Sequence, residues 1–330
     1  MSETLIPIWL VMSGLPSLMY AISNHIDKHL LEEHFVGEFG VVTLLLISAL
    51  VSVVALPFLW LWSPTSVIPE QWTHVFVFAL VGLLHTALLW FYFMALNKED
   101  TTTIVIFYSV LPVMGLAASN IFLGETLLPM QLAAMAVTIV GVIIVSIERD
   151  GQKGFRIKIE AAVLMFMASL CWALGDVAFK FVAIEESLWR ALFWEHLILF
   201  FVGLVLLTFA PKTRNELRHA TRRNPGWIIS INLTSEFLYI LANVVSAFPL
   251  LMVQVAAVHL VQAFQPVWVF LISLLLWRVG VSREEQSRGE FVQKTFATAI
   301  AVCGMYMLAV HTPTSSTLEE NAGTHFVQTR

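Results

Sequence analysis

Asn232, Glu236, Tyr239, Asn243 and Ser246 recur at three- and four-residue steps through an otherwise apolar stretch, which sets them along one face of a helix. A carboxylate flanked by amides and a phenol can hold a polar solute or exchange a proton. Glu236 lies near the middle of its stretch, where desolvation disfavours the charged form and makes it a candidate proton carrier. The competing reading is a protonated Glu236 hydrogen-bonded across to another helix as structural glue, worth about 1–2 kcal/mol. Further along, His259, Gln262 and Gln265-Pro266 fall on or near one face, and the proline frees a backbone carbonyl for a ligand or water. The first half offers weaker counterparts in His85 with Trp90, and in Tyr108, Ser109 and Pro112. For its aromatics, core packing outweighs a binding role. Pro112 and Pro266 are hinge candidates.

Other ionisable groups have a bland reading beside the functional one. Asp176 and Lys180 stand one turn apart, a spacing that permits an ion pair, although Lys180 could instead snorkel outward, as could Lys28. Glu195, beside His196, faces either a cavity or the interface. His25, His29 and Glu33 have i, i+4, i+8 spacing that could in principle bind a metal, but interfacial solvation is favoured and no metal or cofactor is expected. Cys171 and Cys303 fall among apolar residues, where packing is the expected role.

The elements that carry these residues must live in lipid. The chain is 58% apolar and 12% charged, with a mean hydropathy of +0.81, well outside the range of soluble domains. A bilayer core about 30 Å thick needs about 20 apolar residues per helix. Ten windows satisfy this, at 6–30, 39–62, 74–96, 102–123, 129–147, 159–184, 189–210, 226–248, 253–277 and 292–310. The longest stretch between windows runs from Pro211 to Pro225, and the tail 311–330 is polar and without apolar periodicity. The N-terminus lacks a basic leader and a small-residue cleavage site, so the first window reads as a retained helix. Trp60, Trp62, Trp72, Trp189, Trp227 and Trp277 stand near window ends, where such rings settle at the interface. Loops after odd-numbered windows carry fifteen of the eighteen Lys and Arg residues, all but Lys180, Arg190 and Arg330. The positive-inside rule then puts those loops in the cytoplasm and both termini outside, in a cell (inner) membrane.

Residues 17–33 align with 169–186, matching Ser17, Leu18, Ala21 and Lys28 to Ser169, Leu170, Ala173 and Lys180. Pro112-Val113 pairs likewise with Pro266-Val267. Each half holds five windows, an odd number, so the second half enters the membrane from the opposite side. Such inverted repeats are recurrent in secondary transporters. The expected architecture is therefore an all-α polytopic membrane protein: one five-helix repeat over 1–150, a second over 151–310 and a polar disordered tail over 311–330.

The aromatic-to-lysine stretches Tyr20–Lys28 and Trp172–Lys180, Pro112 followed by Gly124-Glu125, and Gly141 and Gly304 in each half's last helix give the chain a recognisable pattern. It resembles the EamA-domain family of the drug/metabolite transporter superfamily over about residues 6–310. The resemblance implies ten helices around a central cavity lined by the first four of each half, the fifth and tenth lying peripheral. The second half departs from the pattern, with Arg278 twelve residues after Pro266 where the first half has Gly124.

No phosphate-binding glycine loop, zinc-protease motif or nucleophile elbow occurs in the sequence, so no catalytic residue is assigned and ATP-driven pumping by this chain is not expected. The leading expectation is a secondary transporter moving a small organic solute by alternating access, with proton coupling through Glu236 or Asp176. The alternatives are a translocase for lipid-linked sugars or lysolipids, and an integral-membrane enzyme or sensor built on Glu236, His259 and Glu195. Expected partners are the solute and membrane lipids, with no nucleic acid. Small residues such as Ala297 with Ala301 and Ala133 with Gly141 suit close helix packing in a monomer or a homodimer contact. A stripe of carboxylates and amides suits amino acids, amines, nucleosides or sugars alike.

Overall fold

Backbone in hydrocarbon must satisfy its own N–H and C=O groups, and a helix does so within one segment. The computed structural model describes residues 8–35, 39–125, 129–150, 154–157, 159–223, 225–279 and 288–310, and these are overwhelmingly helical. In chain order they form α1 (Ile8–Glu33), α2 (Gly40–Val51), α3 (Ala55–Trp62), α4 (His74–Leu96), α5 (Thr101–Phe107), α6 (Leu111–Leu123) and α7 (Pro129–Ser146). A short antiparallel hairpin, β1 (Ile147–Asp150) and β2 (Gly154–Ile157), follows. Then come α8 (Ile159–Glu185), α9 (Leu188–Phe209), α10 (Pro211–Arg223), α11 (Pro225–Met252), α12 (Val255–Gln262), α13 (Gln265–Val279) and α14 (Arg288–Val310).

Among the described residues, seven stretches are long and apolar enough to cross a bilayer: Gly40–Trp62, His74–Leu96, Thr101–Leu123, Ile159–Glu185, Leu188–Phe209, Gly226–Met252 and Val255–Arg278. They coincide with seven of the ten sequence windows. α1, α7 and α14 occupy the other three windows but do not meet the same criterion on their described residues; α1 carries Asp27, Lys28, Glu32 and Glu33 toward its end.

Three spans are broken where the sequence reads as one window. Tyr108–Val110 forms a 3-10 turn before Pro112 in the first turn of α6. α12 stops at Gln262 and α13 restarts at Gln265-Pro266. A proline lacks the N–H of a helix interior but suits a helix start, so both breaks fall immediately upstream of the expected hinge residues. The third break, the 3-10 turn Ser52–Val54, separates α2 from α3. Two connecting segments carry structure that the hydropathy windows did not indicate. Pro211–Arg223, read as a stretch outside the bilayer, is the helix α10, and the link after α7 forms the hairpin. The tail 311–330 lies outside the described residues.

The helices pack in pairs that join the early part of the chain to the late part. α4 lies along α8, α1 along α11, α2 against α9, α6 against α8 and α12, and α7 along α14. The largest buried cluster accordingly mixes Leu44, Tyr92 and Phe107 with Met165, Leu199 and Val269. Gln293 Nε2 donates to the Ile144 carbonyl at 2.6 Å across the α7–α14 contact.

α4 also packs against α9, and Gly82 permits the approach. A Cβ at that position would lie 2.6 Å from Ile198 Cβ and 3.3 Å from the Glu195 carbonyl oxygen. Overpacking of this kind typically costs about 1–3 kcal/mol. Gly82→Ala should therefore lower the melting temperature of the purified protein. Gly226→Ala, where an added Cβ meets nothing within 4 Å, should leave it unchanged or raise it slightly. Equal melting of the two variants would refute close α4–α9 packing.

Candidate functional site

The breaks and pairings leave a cavity at the centre of the bundle, walled by Tyr20 of α1, His85 of α4, Trp172 and Asp176 of α8, Glu195 of α9 and Tyr239 and Asn243 of α11. It is nearly closed, with about 20 Å³ of room, enough for about one water molecule. Two carboxylates face it, and each is held by a histidine from another helix. His85 Nδ1 donates to Glu195 Oε1 at 2.6 Å, and Asn243 Nδ2 donates to the same oxygen at 3.0 Å. With Nδ1 donating to the carboxylate, the other ring nitrogen, His85 Nε2, accepts from the Tyr239 hydroxyl at 2.9 Å. Opposite, His259 Nε2 donates to Asp176 Oδ2 at 2.7 Å.

The rest of the wall is aromatic. Tyr20 packs edge-on to Trp172 with ring centroids 5.7 Å apart and lies 5.3 Å from the ring of Tyr239. Tyr108 sits behind Trp172 at 5.2 Å, as packing support. A smaller void on the far side of His85, Tyr239 and Asn243 holds Glu236, which accepts a hydrogen bond from Ser48 of α2. The three shared residues form a partition, with Glu195 on one side and Glu236 on the other.

Both ends of the bundle are tied. At one end, Lys28 Nζ donates to the carbonyls of Leu96 at 2.9 Å and Glu99 at 2.8 Å, where α4 finishes, and pairs with Glu32 at 3.1 Å. At the other, Lys180 Nζ donates to the carbonyl of Val253 at 2.7 Å, just past α11, and pairs with Glu125 at 3.2 Å. The Asp176–Lys180 ion pair that the spacing permits is not formed; both residues take tertiary partners instead. Neither lysine snorkels: each side chain is only 12% exposed. A helix end offers unpaired carbonyls, and an ammonium there is favoured by the helix dipole.

The Lys180 end carries a second fastening. Glu186, between α8 and α9, accepts from the backbone N–H groups of Glu70 and Gln71 at 2.9 and 3.1 Å, from His74 Nδ1 at 2.7 Å, and from Arg190. Arg190 Nε also donates to the Ser66 carbonyl at 3.0 Å. Burial pushes the Glu186 carboxyl up, but the Glu70 and Gln71 amides, His74 and Arg190 together outweigh it and hold it at about 2.

Of the residues singled out in the sequence, His85, Asp176, Glu195, Tyr239, Asn243 and Ser246 line the central cavity. Glu236 lies in the adjoining void, and His259 stands behind Asp176. Asn232 does not reach either space; it lines a crevice on the flank of the bundle, because its depth on α11 faces α2 and α9. Gln262 and Gln265 are buried beyond the cavity lining. His25, one of the spaced histidines, contacts the Val269 carbonyl at 3.1 Å through Nε2. Sequence reading passed over Asp27, buried at 5% exposure and accepting from Ser235 Oγ at 2.7 Å. It also used Arg190 only as a topological marker; the Glu186–Arg190 spacing of one turn was the available signal.

A bundle of bilayer-length helices around a buried polar cavity defines a polytopic α-helical membrane protein. Residues 7–147 match the model of the EamA-like transporter family, so the resemblance carried by Tyr20–Lys28, Pro112 and Gly124-Glu125 holds over that part of the chain. No curated protein matches the sequence. One similar solved structure, a crystal structure of a protein, has 16% sequence identity and a TM-score of 0.52, covering 92% of this chain and 96% of its own; the likeness is one of fold.

The Glu186 cluster generates a pH dependence. A carboxyl held below its unfolded value stabilises the fold at neutral pH, and that contribution fades as pH falls from about 4.5 toward about 2. Glu186→Gln should lower stability at pH 7 and flatten the loss across that acidic window, as followed by melting in nanodiscs. Arg190→Leu strands the buried carboxylate and should cost about 3–5 kcal/mol at pH 7. A wild-type acid profile in Glu186→Gln would show that the cluster contributes nothing.

Proposed function

We propose that the protein is a secondary transporter that carries a small organic solute through the central cavity by alternating access. The observation that carries the reading is the cavity itself, in which Asp176 and Glu195 face the rings of Tyr20, Trp172 and Tyr239. Carboxylates beside aromatic faces suit a solute bearing an amine, which the acids would hold by charge and the rings by cation–π attraction. Admission requires the bundle to open, since the cavity as described holds about one water molecule.

The architecture we propose is ten spans in two inverted five-helix repeats, 1–150 and 151–310. Its support is a packing pattern unchanged when the halves are exchanged. α1 packs on α11 and its counterpart α8 packs on α4, the counterpart of α11; α2 meets α9, and α7 meets α14. Lys28 of α1 ties the end of α4, and Lys180 of α8 ties the end of α11. In the orientation we propose, the end with the basic loops and α10 is cytoplasmic and both termini lie outside an inner membrane; its support is the one-sided distribution of Lys and Arg.

Proton coupling would run through the partition. A solute amine reaching Glu195 displaces His85 or Asn243, and both also bound the void that holds Glu236. Translocation of a lipid-linked substrate is less well supported, because the central cavity and the crevice on the flank share no lining residue.

The test is flux into proteoliposomes loaded with a pH-sensitive dye and offered solutes pooled by class. Amines should give the strongest signal. Glu195→Gln should reduce solute entry by about tenfold or more, the scale of one hydrogen bond to a charged group. Glu236→Gln should leave solute binding intact while uncoupling proton movement. Amine flux that survives unchanged in Glu195→Gln would remove that residue from the site, and absence of flux for every class would sink the transporter reading.

A further inference from the structure

A second space among the described residues is larger than the central cavity. It is a crevice of about 700 Å³ on the flank, between α2, α9, α10 and α11, within the size range of small-molecule sites. Its walls are apolar, with Ile47 and Leu50 on one side and Ile229 and Leu233 on the other. It opens sideways: Val54 is 50% and Leu233 45% exposed. Any membrane helix meets acyl chains, so apolar walls alone mark no site.

Two further observations do. At one end of the crevice, α10 presents Arg214 and Arg218, one turn apart and both lining it. α10 follows the apolar α9 and precedes α11, which puts it at headgroup level. Its intervening acid, Glu216, is not part of the lining and accepts from Thr43 of α2 at 3.5 Å. Below the arginines, Asn232 lines the same space at 2% exposure, and neither of its amide atoms has a hydrogen-bond partner. A buried amide left unpaired is costly in hydrocarbon and points to a ligand that supplies the missing bonds. Asn232 stands seven residues beyond Pro225, the start of α11, about 10 Å along the helix.

We propose that the crevice is a binding site for an anionic phospholipid. The guanidinium groups of Arg214 and Arg218 take the phosphate, the Asn232 amide donates to an ester carbonyl below it, and the acyl chains lie along Ile47, Leu50, Ile229 and Leu233. The sequence guanidinium, amide, hydrocarbon along the crevice matches phosphate, ester and chain along the lipid. A free anion would meet the arginines and leave the amide and the apolar walls unmet.

Native mass spectrometry of the full chain tests this, with phosphatidylglycerol, phosphatidylcholine of the same chains, and glycerol phosphate as probes. The wild type should retain phosphatidylglycerol over phosphatidylcholine by about tenfold, the scale set by two basic residues at a membrane surface. Arg214→Gln with Arg218→Gln should abolish the preference, and Asn232→Leu should weaken retention of phosphatidylglycerol. Val54→Trp, which narrows the crevice and spares every polar group, should weaken it too. Unchanged melting in phosphatidylcholine nanodiscs establishes that each variant folds. Equal retention of the two lipids, a preference that survives loss of both arginines, or displacement of the lipid by glycerol phosphate would each overturn the proposal.

Discussion

Glu195 is a carboxylate buried inside the bundle, away from bulk water, and the groups around it are arranged to hold it. Its partners come from elsewhere in the chain, His85 from α4 and Asn243 from α11, so one side chain fixes three helices relative to one another. The bond to His85 is possible only because α4 and α9 come close at Gly82, one turn before it. Tyr239 completes the chain by donating to the far nitrogen of His85, which brings its ring against Tyr20 and sets the aromatic wall.

The same rule repeats at each depth. Asp27 is met by Ser235 between α1 and α11, Glu236 by Ser48 between α11 and α2, and Asp176 by His259 between α8 and α12. Apolar contacts between helices gain little over contacts with lipid tails, so they do not select one partner or one register. A buried acid does, because sliding the helix by a turn strands it at a cost of several kcal/mol. The polar pairs thus specify which helices meet, and the apolar clusters around them fill the space.

The spans were legible because hydropathy and length are local, and the windows meet the observed helices within a few residues for α4, α8 and α9. The breaks were legible in part: Pro112 and Pro266 announced two of them, while Pro57, in the first turn of α3 just past the Ser52–Val54 turn, was passed over. For the site, the face of α11 was readable from its three- and four-residue steps, but the neighbours along that face were not. From Asn232 to Ser246 the helix rises about 20 Å, so one stripe meets α2 and α9 at one depth and the central cavity at another. Asp176 and Lys180 show the same limit. Their spacing invites a local pair, yet a buried histidine and a helix end are better partners, and neither is visible from sequence spacing. Asp27 was obscured by its neighbour Lys28, which made the segment read as the wet end of a helix.

On the proposed two-repeat arrangement, the lysine ties at the two ends are the same contact made twice. Each ammonium meets a carbonyl at the finish of a helix and a carboxylate beside it, and each is buried to the same degree. Two equivalent ties would make opening at either end equally costly, and a solute or proton of modest differential affinity could then shift the balance. The molecule departs from that symmetry in one respect. The Lys180 end is also held by Glu186, bonded to two backbone amides, His74 and Arg190, and among the described contacts the Lys28 end shows no matching cluster. With the Glu186 carboxyl held ionised well below neutral pH, that fastening persists under all ordinary conditions. On the proposed alternating-access reading, the resting protein is biased to open first at the Lys28 end, and the solute would contribute the energy that releases the other.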